Sequence, residues 1–149
     1  MRFNLDDAVY INPANNFNTA LVDGVFPASG SFIDVSNFTH FAFLVRVGTL
    51  NSALTLQVHQ DTSATQTAGV KDVTGATLVV AADDDNELKS IEVEASRLDV
   101  ANNFRYVALD ITGAAAGDDY LDILFLGWDA RRMPVTQPAA YSEAVVIGG

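Results

Sequence analysis

The chain has 149 residues, 49% apolar and 18% charged, with ten glycines, four prolines and no cysteine; this excludes disorder, a disulfide scaffold, thiol catalysis and cysteine-ligated metal, and predicts one compact domain. Eight basic against nineteen acidic side chains leave a net charge of −11, the wrong sign for tracking a phosphate backbone, so no nucleic-acid partner is expected. No apolar run approaches the roughly 18 residues of a bilayer span, and Met1-Arg2-Phe3-Asn4-Leu5-Asp6-Asp7 sets two carboxylates where a secretory signal needs its apolar stretch, so the expectation is synthesis in a cytoplasm and no membrane partner.

The residue balance points to strands. Val, Ile, Thr, Phe, Tyr and Trp total 48, against 18 for Glu, Lys, Gln, Arg and Met. Fifteen of the acids are Asp and four Glu, which assigns the acidity to turns rather than helices. The predicted fold is all-β, a single-domain antiparallel β-sandwich or jelly roll spanning 1–149, with an extended amino-terminal segment to about residue 17 and a carboxy-terminal arm from about 131.

In chain order, the first strand is expected near 7–11, followed by a stretch rich in asparagine to Phe17, then short strands near 19–22 and 31–35. A longer strand at 40–50 contains Phe41-Ala42-Phe43-Leu44-Val45, apolar on both sides. At 54–60 the alternation is clean, with Leu54, Leu56 and Val58 on one face and Thr55, Gln57 and His59 on the other. After turn signals from Asp61 to Gly69 and at Thr74-Gly75, strands follow at 77–82 and, past Asp83 to Glu87, at 88–95, where Ile91, Val93 and Ala95 oppose Glu92 and Glu94. Ser96 to Asp99 caps one helical turn before Asn102. The strand at 105–112 sets Val107, Leu109 and Ile111 against Tyr106, Ala108 and Asp110. Beyond the Gly113 to Asp119 loop, the strand at 120–128 is again apolar on both sides. Arg131-Arg132-Met133-Pro134-Val135-Thr136-Gln137-Pro138 holds two prolines and the adjacent basic pair, and reads as an edge or arm. A tenth strand is possible at 141–147.

Few residues carry a chemical signal. Asp83-Asp84-Asp85-Asn86-Glu87 has the carboxylate density of a calcium loop, but an EF-hand register from Asp83 puts Leu88 where the turn glycine belongs, so the reading is a solvated turn. His40 and His59 lie on separate strands, and the chain has no Gly-x-Ser-x-Gly elbow. Gly113 to Gly117 lacks the lysine and following helix of a phosphate cradle. Asn37-Phe38-Thr39 matches a glycosylation triplet, without meaning in a cytoplasm. No catalytic residue, metal ligand or cofactor is predicted, and the chain is expected not to be an enzyme.

Lys71-Asp72-Val73-Thr74-Gly75-Ala76, Arg105-Tyr106-Val107-Ala108-Leu109-Asp110-Ile111-Thr112 and Gly127-Trp128-Asp129-Ala130-Arg131-Arg132, followed by Pro134-Val135-Thr136-Gln137-Pro138, together resemble small structural proteins of tailed bacteriophages, most closely head decoration or cement proteins. The resemblance spans roughly residues 31–140. It implies a sandwich or jelly-roll module, trimeric, bound to the major capsid protein on the outer surface of the virion and stabilising the head. A tail, fibre or baseplate component, or a carbohydrate-binding sandwich, stands as the alternative. The doubly apolar strands nominate Phe41, Phe43, Phe125 and Trp128 as an oligomer interface. The termini nominate Arg2, Phe3, Arg131, Arg132 and Pro134 as capsid contacts, the arginine pair suited to an acidic loop; offsetting Asp129 and Asp122 is the competing role for that pair.

Overall fold

The computed structural model describes residues 5–15, 19–115, 117, 119–139 and 141. A helical turn, Leu5–Ala8, precedes nine strands: β1 (Tyr10–Pro13), β2 (Gly24–Phe26), β3 (Ile33–Asp34), β4 (Phe38–Val47), β5 (Leu54–Asp61), β6 (Lys71–Val80), β7 (Leu88–Glu94), β8 (Tyr106–Thr112) and β9 (Leu121–Ala130). Two 3₁₀ turns, Ala95–Arg97 and Val100–Asn102, connect β7 to β8.

The pairing is nested about the middle of the chain: β1 with β9, β2 and β3 with β8, β4 with β7, β5 with β6, all antiparallel. A long hairpin rolled up in this way gives two sheets, β1-β9-β4-β7 and β2-β8-β5-β6, closed by β4 on β9 and β5 on β8. That is the jelly-roll order of an all-β sandwich.

Side-chain alternation builds the core between the sheets. Leu54, Leu56, Val58, Val107, Leu109 and Ile111 are fully buried from one side, and Phe41, Phe43, Val45, Ile123 and Phe125 from the other. Phe43 and Phe125 meet edge to face at 5.3 Å between centroids, a geometry aromatic pairs favour. The doubly apolar strands β4 and β9 are the two central strands of their sheet.

Three expectations are corrected. The strand expected at 77–82 begins at Lys71, because Gly75, at φ +82°, does not end the strand but bulges it. Asp72 pairs with His59 and Thr77 with Gln57, so the extra residues loop out of the ladder. Residues 19–22 make no strand; Leu21 is buried and donates its N–H to the Asp119 carbonyl at 2.7 Å, while the strand itself falls at Gly24–Phe26. The first strand, expected near 7–11, falls at Tyr10–Pro13, where it pairs with β9, and Ala14 after it is buried. The strand suggested for 141–147 lies outside the described residues apart from Tyr141.

The rolled topology gathers most of the described cations at one end. That end holds the β5–β6 connection, the 3₁₀ turns and the end of β9, with Lys71, Arg97, Arg105, Arg131 and Arg132 among the acids Asp34, Asp61, Asp99 and Asp129. The opposite end carries Asp83, Asp84, Asp85, Glu87, Asp119 and Asp122, with Arg46 and Lys89 among them.

Candidate functional site

The arginine pair is placed by the way β9 ends. Gly127 lies under the ring of Phe38, where a Cβ would stand 2.9 Å from two ring carbons, so only glycine fits. Asp129 adopts a left-handed φ of 55°, a conformation Asp tolerates better than most residues, and its carbonyl accepts from Thr39 Oγ1. The chain then runs past Asn37: Arg131 N–H donates to the Asn37 carbonyl at 2.8 Å. Asn37 Oδ1 accepts the Arg132 N–H at 3.0 Å, and Asn37 Nδ2 donates back to the Arg132 carbonyl at 3.1 Å. The backbone of both arginines is fixed while both side chains stay exposed.

The arm that follows lies against the sandwich. Val135 is buried and donates its N–H to the Asp7 carbonyl. Two residues on, the Gln137 amide reaches the free edge of β1, accepting from Ile11 N–H and donating to the Val9 carbonyl. Between the arm and the β3–β4 segment runs an open groove of about 810 Å³, bordered by Asp34, Asn37, Phe38, Arg131, Arg132 and Pro134.

Of the other cations among the described residues, Arg46 and Arg97 make no ion pair either, while three are engaged. Lys71 lies 2.6 Å from Asp99 and over the Phe104 ring; Lys89 bridges Asp84 and Glu87; Arg105 sits 3.4 Å from Asp34 and donates to the Tyr106 hydroxyl. Among the described residues, neither Arg131 nor Arg132 makes an ion pair. Asp122 cannot offset them, because it sits at the other end of β9 opposite Arg46. Arg2 and Phe3, nominated beside them, lie outside the described residues.

The nominated oligomer residues separate. Phe41, Phe43 and Phe125 are wholly enclosed between the sheets and reach no outer surface. Trp128 lies on the outer face of its sheet, stacked on His40 with 5.8 Å between centroids. The register puts Leu126 beside Ala42 and Ile11, and Leu124 beside Leu44 and Pro13, so the outer face carries an apolar band that the phenylalanines do not form.

The polar clusters are occupied in holding turns. Asp84 accepts the Ala81 N–H and Asp85 the Leu50 N–H, so the carboxylates of that turn diverge; the Lys89 ammonium beside Asp84 also holds its carboxyl below the usual range. His59 Nε2 lies 3.1 Å from Asp72 and 3.8 Å from Asp110 on the outer face of the second sheet, while its Nδ1 is buried without a partner.

Two aspartates that the sequence does not distinguish are fully buried, one at each end. Asp61 accepts from Thr62 N–H, Thr67 N–H and Thr67 Oγ1; Asp119 accepts from Asn51 N–H, Ser52 Oγ and Ala115 N–H. Burial pushes both carboxyls up, but the converging donors outweigh it and hold both below the ordinary range. Asn37 and Gln137 were equally inconspicuous; the one signal in their favour is that each flanks a segment where proline or a chain reversal leaves backbone groups to be matched.

No protein-family model matches the chain, and searches of curated proteins and of solved structures find no match.

Proposed function

We propose that the protein is a virion structural component that binds the major capsid protein on the outer surface of a tailed-phage head and stabilises it. The observation carrying this reading is the Arg131–Arg132 pair: two cations without ion-pair partners among the described residues, on a backbone clamped by Asn37, on a chain of charge −11. A charged side chain on a fixed backbone contacts an acidic partner without the ordering cost of a flexible arm. The jelly roll and the sequence resemblance to decoration proteins support the same reading. A homotrimer joined through the outer face of the β1-β9-β4-β7 sheet suits it, because cyclic symmetry matches a threefold capsid position.

The test is addition of purified protein to heads of the phage or prophage that carries the gene, stripped of their own copy. Saturable binding that raises the temperature of head disruption is expected, with binding weakened at least about tenfold in R131A/R132A, as loss of close charge pairs at an interface implies. Failure to bind heads before or after expansion would overturn the reading.

A further inference from the structure

A second hollow opens at the arginine end, contiguous with the groove and sharing Ser36, Phe38 and Arg131 with it. It encloses about 220 Å³ over Val35, Leu98, Val100 and Phe104. Val35, Leu98 and Phe104 are buried in its floor, and Val100, on the second 3₁₀ turn and 61% exposed, is the apolar side chain it offers to a partner. Arg105 and Arg131 stand at its mouth; Arg105 is held by Asp34 and the Tyr106 hydroxyl, which leaves Arg131 as the cation able to turn to a ligand.

We propose that the two contiguous hollows form one peptide site, taking an extended acidic segment of another protein with one apolar side chain against Val100 in the second hollow and carboxylates on Arg131 and Arg132. The proposal rests on the arginine rim being the contact surface in the reading above, and it adds the chemistry of what is contacted. Guanidinium groups match carboxylates through paired N–H donors. An apolar hollow beside them distinguishes a peptide from a simple polyanion, which has nothing to place there.

The chain itself offers a segment of similar composition at its opposite end, where Leu88, 68% exposed, follows the Asp83 to Glu87 turn. Three of its four acids are engaged: Asp84 with Ala81 N–H and Lys89, Asp85 with Leu50 N–H, Glu87 with Lys89. The occupant is therefore assigned to a different protein rather than to a second copy.

The experiment is selection of a random twelve-residue peptide display library on the intact protein, then fluorescence anisotropy of the enriched peptide, labelled, against variants. A consensus of one large apolar residue flanked by Asp or Glu is expected, with affinity falling about tenfold or more in R131A/R132A and on raising salt. Val100→Asp, an exposed position outside the core, is expected to weaken the same peptide severalfold, and replacing the peptide's apolar residue by Ser to do likewise. The proposal is overturned if no acidic consensus emerges, if the double variant binds equally well, or if an all-Glu peptide of equal charge binds as tightly. It is also overturned if unlabelled protein displaces the peptide and Leu88→Ser abolishes that displacement, which would make a second copy the occupant. Head binding of the same variants separates the two readings. Lost peptide with undiminished head attachment rejects this site as the capsid contact, and retained peptide with no head attachment rejects the decoration role.

Discussion

The side-chain amide of Gln137 stands where a neighbouring strand would stand beside Ile11, accepting its N–H at 2.9 Å while donating to the Val9 carbonyl at 2.6 Å. Other amides act in the same way. Asn15 donates to the Leu121 carbonyl and accepts the Ile123 N–H, carrying the pairing of β1 with β9 beyond Pro13. Asn37 does so for Arg132, and the buried Gln60 joins the Asp72 carbonyl to the Asp99 N–H. A primary amide presents one acceptor and a donor pair, so it substitutes for a peptide group where proline or a turn has interrupted the ladder. The first strand, the arm at Gln137 and the arginine rim are held to the sandwich by this device.

Removing the amide at Asn37 should free the rim without dissolving the fold. Asn37→Ala is expected to cost about 1 kcal/mol, since the Arg132 backbone groups it leaves are near solvent and can turn to water. Trypsin should cut after Arg131 or Arg132 faster in this variant than in the parent, because cleavage follows the population of the open segment. Gln137→Ala should do the same for the arm and leave the strands intact by circular dichroism. Unchanged digestion in both would mean that Val135 alone seats the arm.

The two buried aspartates set the acid limit of stability. Their carboxyls are held below the ordinary range in the fold, so the stabilisation is present above the unfolded value near 3.9 and is lost as the pH falls through the folded value. Melting temperature should be flat from neutral pH to about pH 5 and fall below about pH 4. Asp119→Ala, which removes the carboxylate that accepts from Asn51 N–H, Ser52 Oγ and Ala115 N–H, should cost about 2–4 kcal/mol at neutral pH and flatten the acid limb. A full acid limb surviving in an Asp61→Asn/Asp119→Asn double variant would assign it to other groups.

Asp110 has the opposite sign. Burial raises its carboxyl first, the His59 ring works against that, and Asp72 and Asp23 raise it further, so it is ionised at a cost in the fold at neutral pH. That cost is present above the folded value and vanishes as the pH falls below the unfolded one. Asp110→Asn should therefore raise the melting temperature by a few degrees at pH 7, with the advantage disappearing by about pH 4. A lower melting temperature at pH 7 would show that the contact with His59 outweighs the repulsion.

How much of this was legible in the sequence depended on contrast between the two faces of a strand. In β5 and β8 polar residues alternate with Leu54, Leu56, Val58, Val107, Leu109 and Ile111, and the inward set follows directly. In β4 and β9 both parities are apolar, so alternation could not tell Phe41, Phe43 and Phe125 from Ala42, Leu126 and Trp128, and the large rings were assigned to the wrong side. Size was the unused clue, because the space between two sheets is where the bulkiest side chains find partners. Gly75 was read as a turn because a bulge and a turn use the same residue for the same positive φ. Asp61 and Asp119 were invisible among fifteen aspartates, since their burial follows from long-range loop packing that leaves no local pattern.

The corrected assignment of faces separates assembly from folding in one pair of substitutions. Leu126 lies on the outer band between Ile11 and Ala42, partly exposed in a single chain, so Leu126→Glu places a charge in solvent and leaves the core untouched. Phe43 is wholly enclosed against Phe41 and Phe125, and Phe43→Ala opens a cavity that should cost about 3–5 kcal/mol. Leu126→Glu should accordingly melt within about 1 kcal/mol of the parent at the monomer level while shifting the proposed trimer to monomer in sedimentation, because the charge would have to be buried unpaired to assemble. Phe43→Ala should lower the melting temperature and yet sediment as the parent does wherever it remains folded. A Leu126→Glu protein that still sediments as an oligomer would move the interface off this face.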